Sequence, residues 1–304
     1  MGMRIGDAME QAWEQFEPYA DASFASELRS ALEKHGEDGA CMEDREAAWH
    51  QFMCRYWELD VGCSLLAHQH NLDSRANRVS AGPDFLDIVD SHRIWIECVV
   101  PGRGKGNNAI PEFSDGRCYD VPDDEIKLRL LSAFWDKAKK QEQYLKDGLT
   151  QRNEPFVIAI NGSCLPDNLT DFQPPRIVRC LLGIQNHQVY YSRSTGEFSE
   201  APMTGQRTIS NSNNSQVEAT AFQQQKFASI SAVLYSDVKP SSNLGEWGGD
   251  YVILHNPLAT VPLGEDVYQW MTQWRVTRDG KMGTVTRIDP TEGEEKVSGT
   301  NNNQ

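Results

Sequence analysis

The chain lacks any long apolar run. No stretch of its 304 residues is apolar for long enough to cross a bilayer, and no apolar segment follows Arg4, so neither a membrane span nor a secretory leader is expected. It also lacks paired cysteines. The seven are odd in number and scattered, and none falls in a CxxC pair. That argues against a disulfide framework and against a thiolate zinc site, and it suits a reducing cytoplasm. No internal repeat is present. Positive charge is scarce, with 29 Lys and Arg against 44 Asp and Glu and a net charge of −15. Non-specific nucleic-acid binding draws its affinity from neutralising phosphates, so an acidic chain is a poor general DNA binder.

What is present is enough chain to bury a full core, as one large domain or two small ones. Two amphipathic helical patterns, 5–16 and 23–34, are expected to form an N-terminal cap. A longer helix is expected over 45–70, where Trp49, Phe52, Met53, Tyr56, Leu59, Cys63 and Leu66 recur at helical spacing. From 56 to 67 it is apolar nearly all round, which predicts burial, and Glu58 and Asp60 interrupt that run. His68 and His70 stand two residues apart, on different faces of a helix, which argues against a zinc pair.

The most informative stretch is Gly82-Pro83-Asp84-Phe85, followed by Ile94-Trp95-Ile96-Glu97-Cys98-Val99. Residues 85–89 are rich in β-branched and apolar side chains, Asp90-Ser91-His92 is a turn-type cluster, and 93–100 predicts a second, buried strand. Alternation along a strand puts Ile94, Ile96 and Cys98 on one face and Trp95, Glu97 and Val99 on the other. Glu97 then sits inside an apolar strand, where a carboxylate is costly unless it is paired or holds a metal. A hairpin would bring Asp84, at the start of the first strand, beside it. Two readings of Glu97 stay open: a metal ligand with Asp84, or a structural ion pair with Arg93 or Arg103.

Gly82-Pro83-Asp84, a gap, then Ile96-Glu97-Cys98-Val99 resembles the signature of the PD-(D/E)XK nuclease superfamily. A bacterial branch of it is the nearer likeness, on Trp57-Glu58, Gly82 to Phe85, Trp95 to Glu97, and Ala159-Ile160-Asn161-Gly162. The resemblance implies an α/β, restriction-endonuclease-like αβββαβ core, a mixed sheet flanked by helices, over residues 43–165. Residues 1–42 would be the helical cap, 166–288 a β-containing extension of the core, and 289–304 a disordered tail. It implies Mg²⁺, with Mn²⁺ as a substitute, held by Asp84, Glu97 and the backbone carbonyl of Cys98. Glu58 matches the family's acid on the preceding helix, although a salt bridge to a nearby Arg would explain it as well. The implied activity is phosphodiester cleavage of nucleic acid, DNA before RNA.

The family's strand lysine falls at position 99, and Val99 stands there. The family can move this lysine to the following helix. That helix is expected over 123–145, opened by Pro122 and Asp123-Asp124, with Gly148 just past its end. Leu131, Phe134, Ala138 and Leu145 make its apolar stripe. Lys137 and Gln141 lie one turn apart on the flank of the stripe, with Arg129 and Tyr144 further out on that side and Lys139 and Lys140 outside it. Lys137, with Gln141, is the expected stand-in, although a lysine there can also snorkel to solvent. Lys105, in the loop 101–106, is the rival. Basic residues gather after Glu97 (Arg103, Lys105, Arg117, Lys127, Arg129, Lys137, Lys139, Lys140), which keeps a nucleic-acid substrate open, with a homodimer or a partner subunit supplying further contact. Val99 and the acidic balance equally fit a catalytically inactive nuclease fold that serves as a binding or assembly module. A different hydrolase or a structural protein with two chance acids is the third reading.

Further along, 155–160 predicts a strand, 163–175 a loop, 176–183 and 187–192 strands, and 208–216 a mobile Ser/Asn loop. Residues 229–235 and 251–255 predict buried strands that extend the sheet, joined by the Gly-rich 241–249, and 291–304 is polar and without pattern. Trp247, Trp270 and Trp274 fit a core better than a base-stacking surface.

Overall fold

The computed structural model describes residues 12–36, 42–73, 82–89, 92–106, 109–110, 121–166, 174–185, 189–192, 194–200, 205–241, 247–279 and 282–290. In chain order the elements are α1 (Phe24–His35), α2 (Met42–Ala67), β1 (Asn71–Leu72), β2 (Phe85–Val89), β3 (His92–Val99), α3 (Asp123–Lys146), β4 (Phe156–Asn161) and α4 (Arg176–Leu182). Four short strands follow, β5 (Val189–Tyr191), β6 (Phe198–Glu200), β7 (Thr208–Ser210) and β8 (Gln216–Glu218). Then come β9 (Ala232–Ser236), β10 (Val252–His255), β11 (Thr272–Asp279) and β12 (Met282–Ile288).

An eight-stranded sheet in the order β1-β2-β3-β4-β9-β10-β11-β12 forms the middle layer. It is mixed: β3, β4 and β9 run parallel, as do β10 and β11, and the other neighbours are antiparallel. The period-2 alternation of β3 divides its side chains between two cores. Ile94, Ile96 and Cys98 join the core formed with α1 and α2, while Trp95 joins the one formed with α3 and α4. The result is an α/β protein with a large mixed sheet covered by helices on both faces, built as the hydrophobic stripes of amphipathic helices require.

Helix α2 explains its own composition. From Tyr56 to Leu65 every residue but Glu58 is buried. The Trp57 indole donates to the Ala159 carbonyl at 3.0 Å, which ties the helix to the central strand β4. Asp60 is answered by the hydroxyls of Tyr251, at 2.5 Å, and Tyr56, at 3.3 Å. His68 stacks on Trp270 with ring centroids 3.9 Å apart, and His70 pairs with Asp87 at 2.8 Å, so the two histidines do serve separate packing roles. Trp274 is buried, and Trp247 and Trp270 pack against the core as expected.

Several expectations need correction. Residues 176–182 are a helix, not a strand. All seven of its side chains are buried, Arg176 and Arg179 against Asp123, and seven residues are too few for a helical period to separate them from a buried strand. The brackets are helical: Pro175 precedes it, and Gly183 follows with φ 66° in the left-handed region. Residues 208–216 are not a mobile loop but most of the β7–β8 hairpin. The Asn211 side chain accepts the Ser215 amide at 2.8 Å, and Asn214 takes φ 63°, so the Ser/Asn run supplies turn chemistry. Strands β11 and β12 were not foreseen. Residues 5–11 of the first helical pattern, the hairpin turn 90–91, Arg117, residues 242–246 and the tail from 291 lie outside the described residues. Among the described residues, no helix is long and apolar enough to cross a membrane.

Candidate active site

The β2–β3 register fixes the acid pair. Phe85 faces Ile96 across the hairpin, so the position before it, Asp84, comes level with Glu97. Asp84 Oδ2 accepts the Cys98 backbone amide at 2.7 Å, which fastens the carboxylate to the end of β3. Glu97 has no exposed side-chain surface, and its carboxylate meets α3. There Lys137, Lys140 and Tyr144 follow at i, i+3 and i+7 and share one helix face. The Lys137 and Lys140 ammonium groups each donate to Glu97 Oε1 at 2.6 Å, and the Tyr144 hydroxyl donates to Oε2 at 3.0 Å. Lys140 Nζ also sits 5.4 Å from the centre of the Tyr144 ring. Burial, and then the Glu97 charge, push the Tyr144 pKa well up, so the hydroxyl stays a donor.

Glu97 is therefore ion-paired, but not with the arginines expected from the sequence. Arg93 binds Glu154 at 2.8 Å, and Arg103 lies 3.8 Å from Glu46. Tyr144 is legible beside Lys137, since it lies on the same side of the apolar stripe. Lys140, expected outside that side, reaches Glu97 only because its long side chain bends round to the sheet.

The acids open onto a groove of about 900 Å³. Helix α1 contributes Lys34; α2 contributes His50, Arg55 and Glu58; the end of β3 contributes Cys98 and Val99; and α3 contributes Lys137 and Lys140. Glu58 lies on this groove with Asp84 and Glu97, and both of its oxygens take Arg55 Nη1, at 3.0 and 2.9 Å. Arg55 in turn pairs with Glu27. The salt bridge expected for Glu58 is thus present without removing it from the groove. His50 Nε2 lies 2.7 Å from the Val100 carbonyl.

Two residues named from the sequence lie elsewhere. Gln141 is buried, and its amide oxygen accepts the Ser229 hydroxyl at 3.0 Å, so it does not join the carboxylates. Lys105 is 91 % exposed and lies 3.8 Å from Glu43, away from the groove. Lys139 is exposed as well. Neither groove cysteine is activated for nucleophilic attack. Burial, and then Glu58, raise the Cys54 thiol to about 11. Burial, and then Asp84, push Cys98 well above its ordinary value.

The donor chemistry of Asp84, Glu97 and Glu58 is that of a hard divalent cation, all carboxylate oxygen. Among the described residues, no three His, Cys, Asp or Glu side chains are gathered as a metal cluster. Glu97 is instead drawn to its lysines. Comparison of the chain with protein-family models, curated proteins and solved structures gives no match in any of the three.

Proposed function

We propose that this chain is a divalent-metal-dependent nuclease with a restriction-endonuclease-like core, cleaving phosphodiester bonds of DNA in a reducing, cytoplasmic setting. The observation that carries the reading is the Lys137–Glu97 bond at 2.6 Å. It delivers from α3 the positive charge that Val99 leaves off the strand. The order α2-β1-β2-β3-α3-β4 supports it too, because it reproduces the αβββαβ sequence of that core.

Asp84, Glu97, the Cys98 carbonyl and Glu58 would hold Mg²⁺ or Mn²⁺. A bound ion would lower the pKa of a water and draw charge from the phosphate. The remaining work belongs to the chain. Lys137 neutralises charge on the non-bridging phosphate oxygens, a contribution of preorganised electrostatics. Tyr144 fixes the rotamer of Glu97. The Cys98 amide orients the Asp84 carboxylate through its bond to Oδ2. Lys34, Arg55, Lys137 and Lys140 balance the acids Glu27, Glu58, Asp84 and Glu97 in the groove lining, so phosphate contacts would draw on these cations together with a second subunit.

The test is cleavage of plasmid, short duplex DNA, single-stranded DNA and RNA with Mg²⁺ or Mn²⁺. The expected result is metal-dependent cutting that EDTA abolishes, that Asp84→Ala and Glu97→Gln reduce to background, and that Lys137→Met slows about 100-fold. Absence of cleavage of every substrate with both ions would overturn it. A second reading, an inactive nuclease fold used for binding or assembly, is favoured by the full set of partners on Glu97. Mn²⁺ separates the two: an active site gains melting temperature with the ion and loses that gain in Asp84→Ala, whereas an inert ion pair gains nothing.

A further inference from the structure

Glu97 carries more positive charge than one carboxylate needs. Oε1 accepts two ammonium groups, both at 2.6 Å, and Oε2 accepts Tyr144 at 3.0 Å. Two donors use both lone pairs of Oε1, so a cation that takes this oxygen must displace a lysine, while Oε2 carries the Tyr144 hydroxyl alone. The three partners differ in what leaving would cost. Tyr144 is buried at 6 % exposure, which makes it an anchor. Lys137 is 19 % exposed and Lys140 is 48 % exposed. The half-exposed ammonium is the most hydrated and the most screened, so its pairing is the weakest of the set. Its release also leaves Glu97 paired with Lys137, so no uncompensated charge is created in the interior. Its four-carbon stem lets the head swing without moving α3, and Lys140 already lines the groove where a phosphate would lie.

We infer that Lys140 is a displaceable counterion of Glu97. It occupies Oε1 in the resting groove, yields that position to the divalent cation, and turns to a phosphate of the bound nucleic acid. Lys137 and Tyr144 stay in place. The exchange conserves the role of each group: one cation replaces another on Glu97, and the released ammonium meets the negative charge that enters with the substrate. This inference rests on the metal-dependent reading above.

The experiment is calorimetric titration of the full chain with Mn²⁺ alone, on wild type, Lys140→Gln, Lys140→Arg and Asp84→Ala. Lys140→Gln removes the competitor and is expected to bind Mn²⁺ about tenfold tighter than wild type. Lys140→Arg keeps the charge and should resemble wild type, and Asp84→Ala should lose binding, which locates the ion. A second readout is DNA affinity against salt with Ca²⁺ in place of Mn²⁺. The log–log slope should fall by about one in Lys140→Gln if the lysine meets a phosphate. Equal or weaker Mn²⁺ binding by Lys140→Gln overturns the inference and leaves the metal reading standing. Absence of Mn²⁺ binding in every form overturns both.

Discussion

The Tyr144 hydroxyl donates to Glu97 Oε2, the oxygen that the two lysines leave to it. A buried carboxylate oxygen without a partner bears its full desolvation cost. Tyr144→Phe keeps the ring and removes only this donor. It is expected to lower unfolding free energy by about 1–3 kcal/mol in a urea titration. A loss below about 0.5 kcal/mol would mean that water replaces the hydroxyl.

Lys137 and Lys140 share one oxygen, so their removals should not add. Lys140→Met alone should cost within about 1 kcal/mol, because the lysine is half exposed and Lys137 still pairs Glu97. The double variant leaves Glu97 buried without a cation, and its cost should reach about 3–5 kcal/mol. A double-mutant cycle reads the excess directly, and simple additivity would show that each lysine acts alone.

Asp123 predicts acid lability. It opens α3 and ties it to α4 through ion pairs with Lys127 and Arg176, each at 2.7 Å, and with Arg179 at 3.5 Å. Burial alone would raise its pKa, but bonds from Lys127 and Arg176 and the charge of Arg179 outweigh it and bring it down to about 2. A folded pKa below the unfolded value of about 3.9 stabilises the protein above pH 4, and that stability fades as pH falls through 2. The contribution is about 2 kcal/mol. Asp123→Asn should cost at least that much at pH 7 and flatten the stability profile between pH 4 and pH 2, followed by denaturant midpoints across that range.

Gly183 ends α4 at φ 66°, and a Cβ there would come within 2.6 Å of the Thr220 methyl, 2.9 Å of the Ala219 carbonyl oxygen and 3.0 Å of the Gln206 carbonyl oxygen. Gly148 follows α3 at φ 72° with open space around it. Gly148→Ala should cost about 1 kcal/mol, the conformational penalty alone. Gly183→Ala adds overpacking against backbone and should cost about 2–5 kcal/mol. Denaturant titration of the two variants isolates the steric part.

How much of this could be read from the sequence depends on whether the signal is local. Glu97 shows itself as a carboxylate in an apolar strand, and Asp84 follows from the hairpin. Lys137 follows from the flank of the α3 stripe. Lys140 does not, because whether a long side chain at the margin reaches round to the sheet depends on how closely helix and strand pack. Gln141 sits on the same flank, yet Ser229, 88 positions away, takes it elsewhere. A separation of 102 positions likewise hides the bond from Trp57 to Ala159. Helix α4 resembles a strand in sequence because its seven residues are too few for a helical period to stand out. Strand β12 escaped notice because both of its faces are largely exposed and it has no apolar face to alternate.

The pairing of β4 with β9 sets a schedule for synthesis. β4 is buried along its whole length, and its second edge is filled only by β9, with Asn161 level with Ser236, 75 positions later in the chain. At about 5–20 residues per second a ribosome needs about 4–15 s to cover that interval. Throughout it, the nascent chain presents Phe156-Val157-Ile158-Ala159-Ile160 as an unpaired apolar edge, the kind of template on which strands of other chains add. Between those two strands the growing polypeptide carries the kind of exposed edge that makes folding intermediates prone to aggregate, whatever the finished groove does.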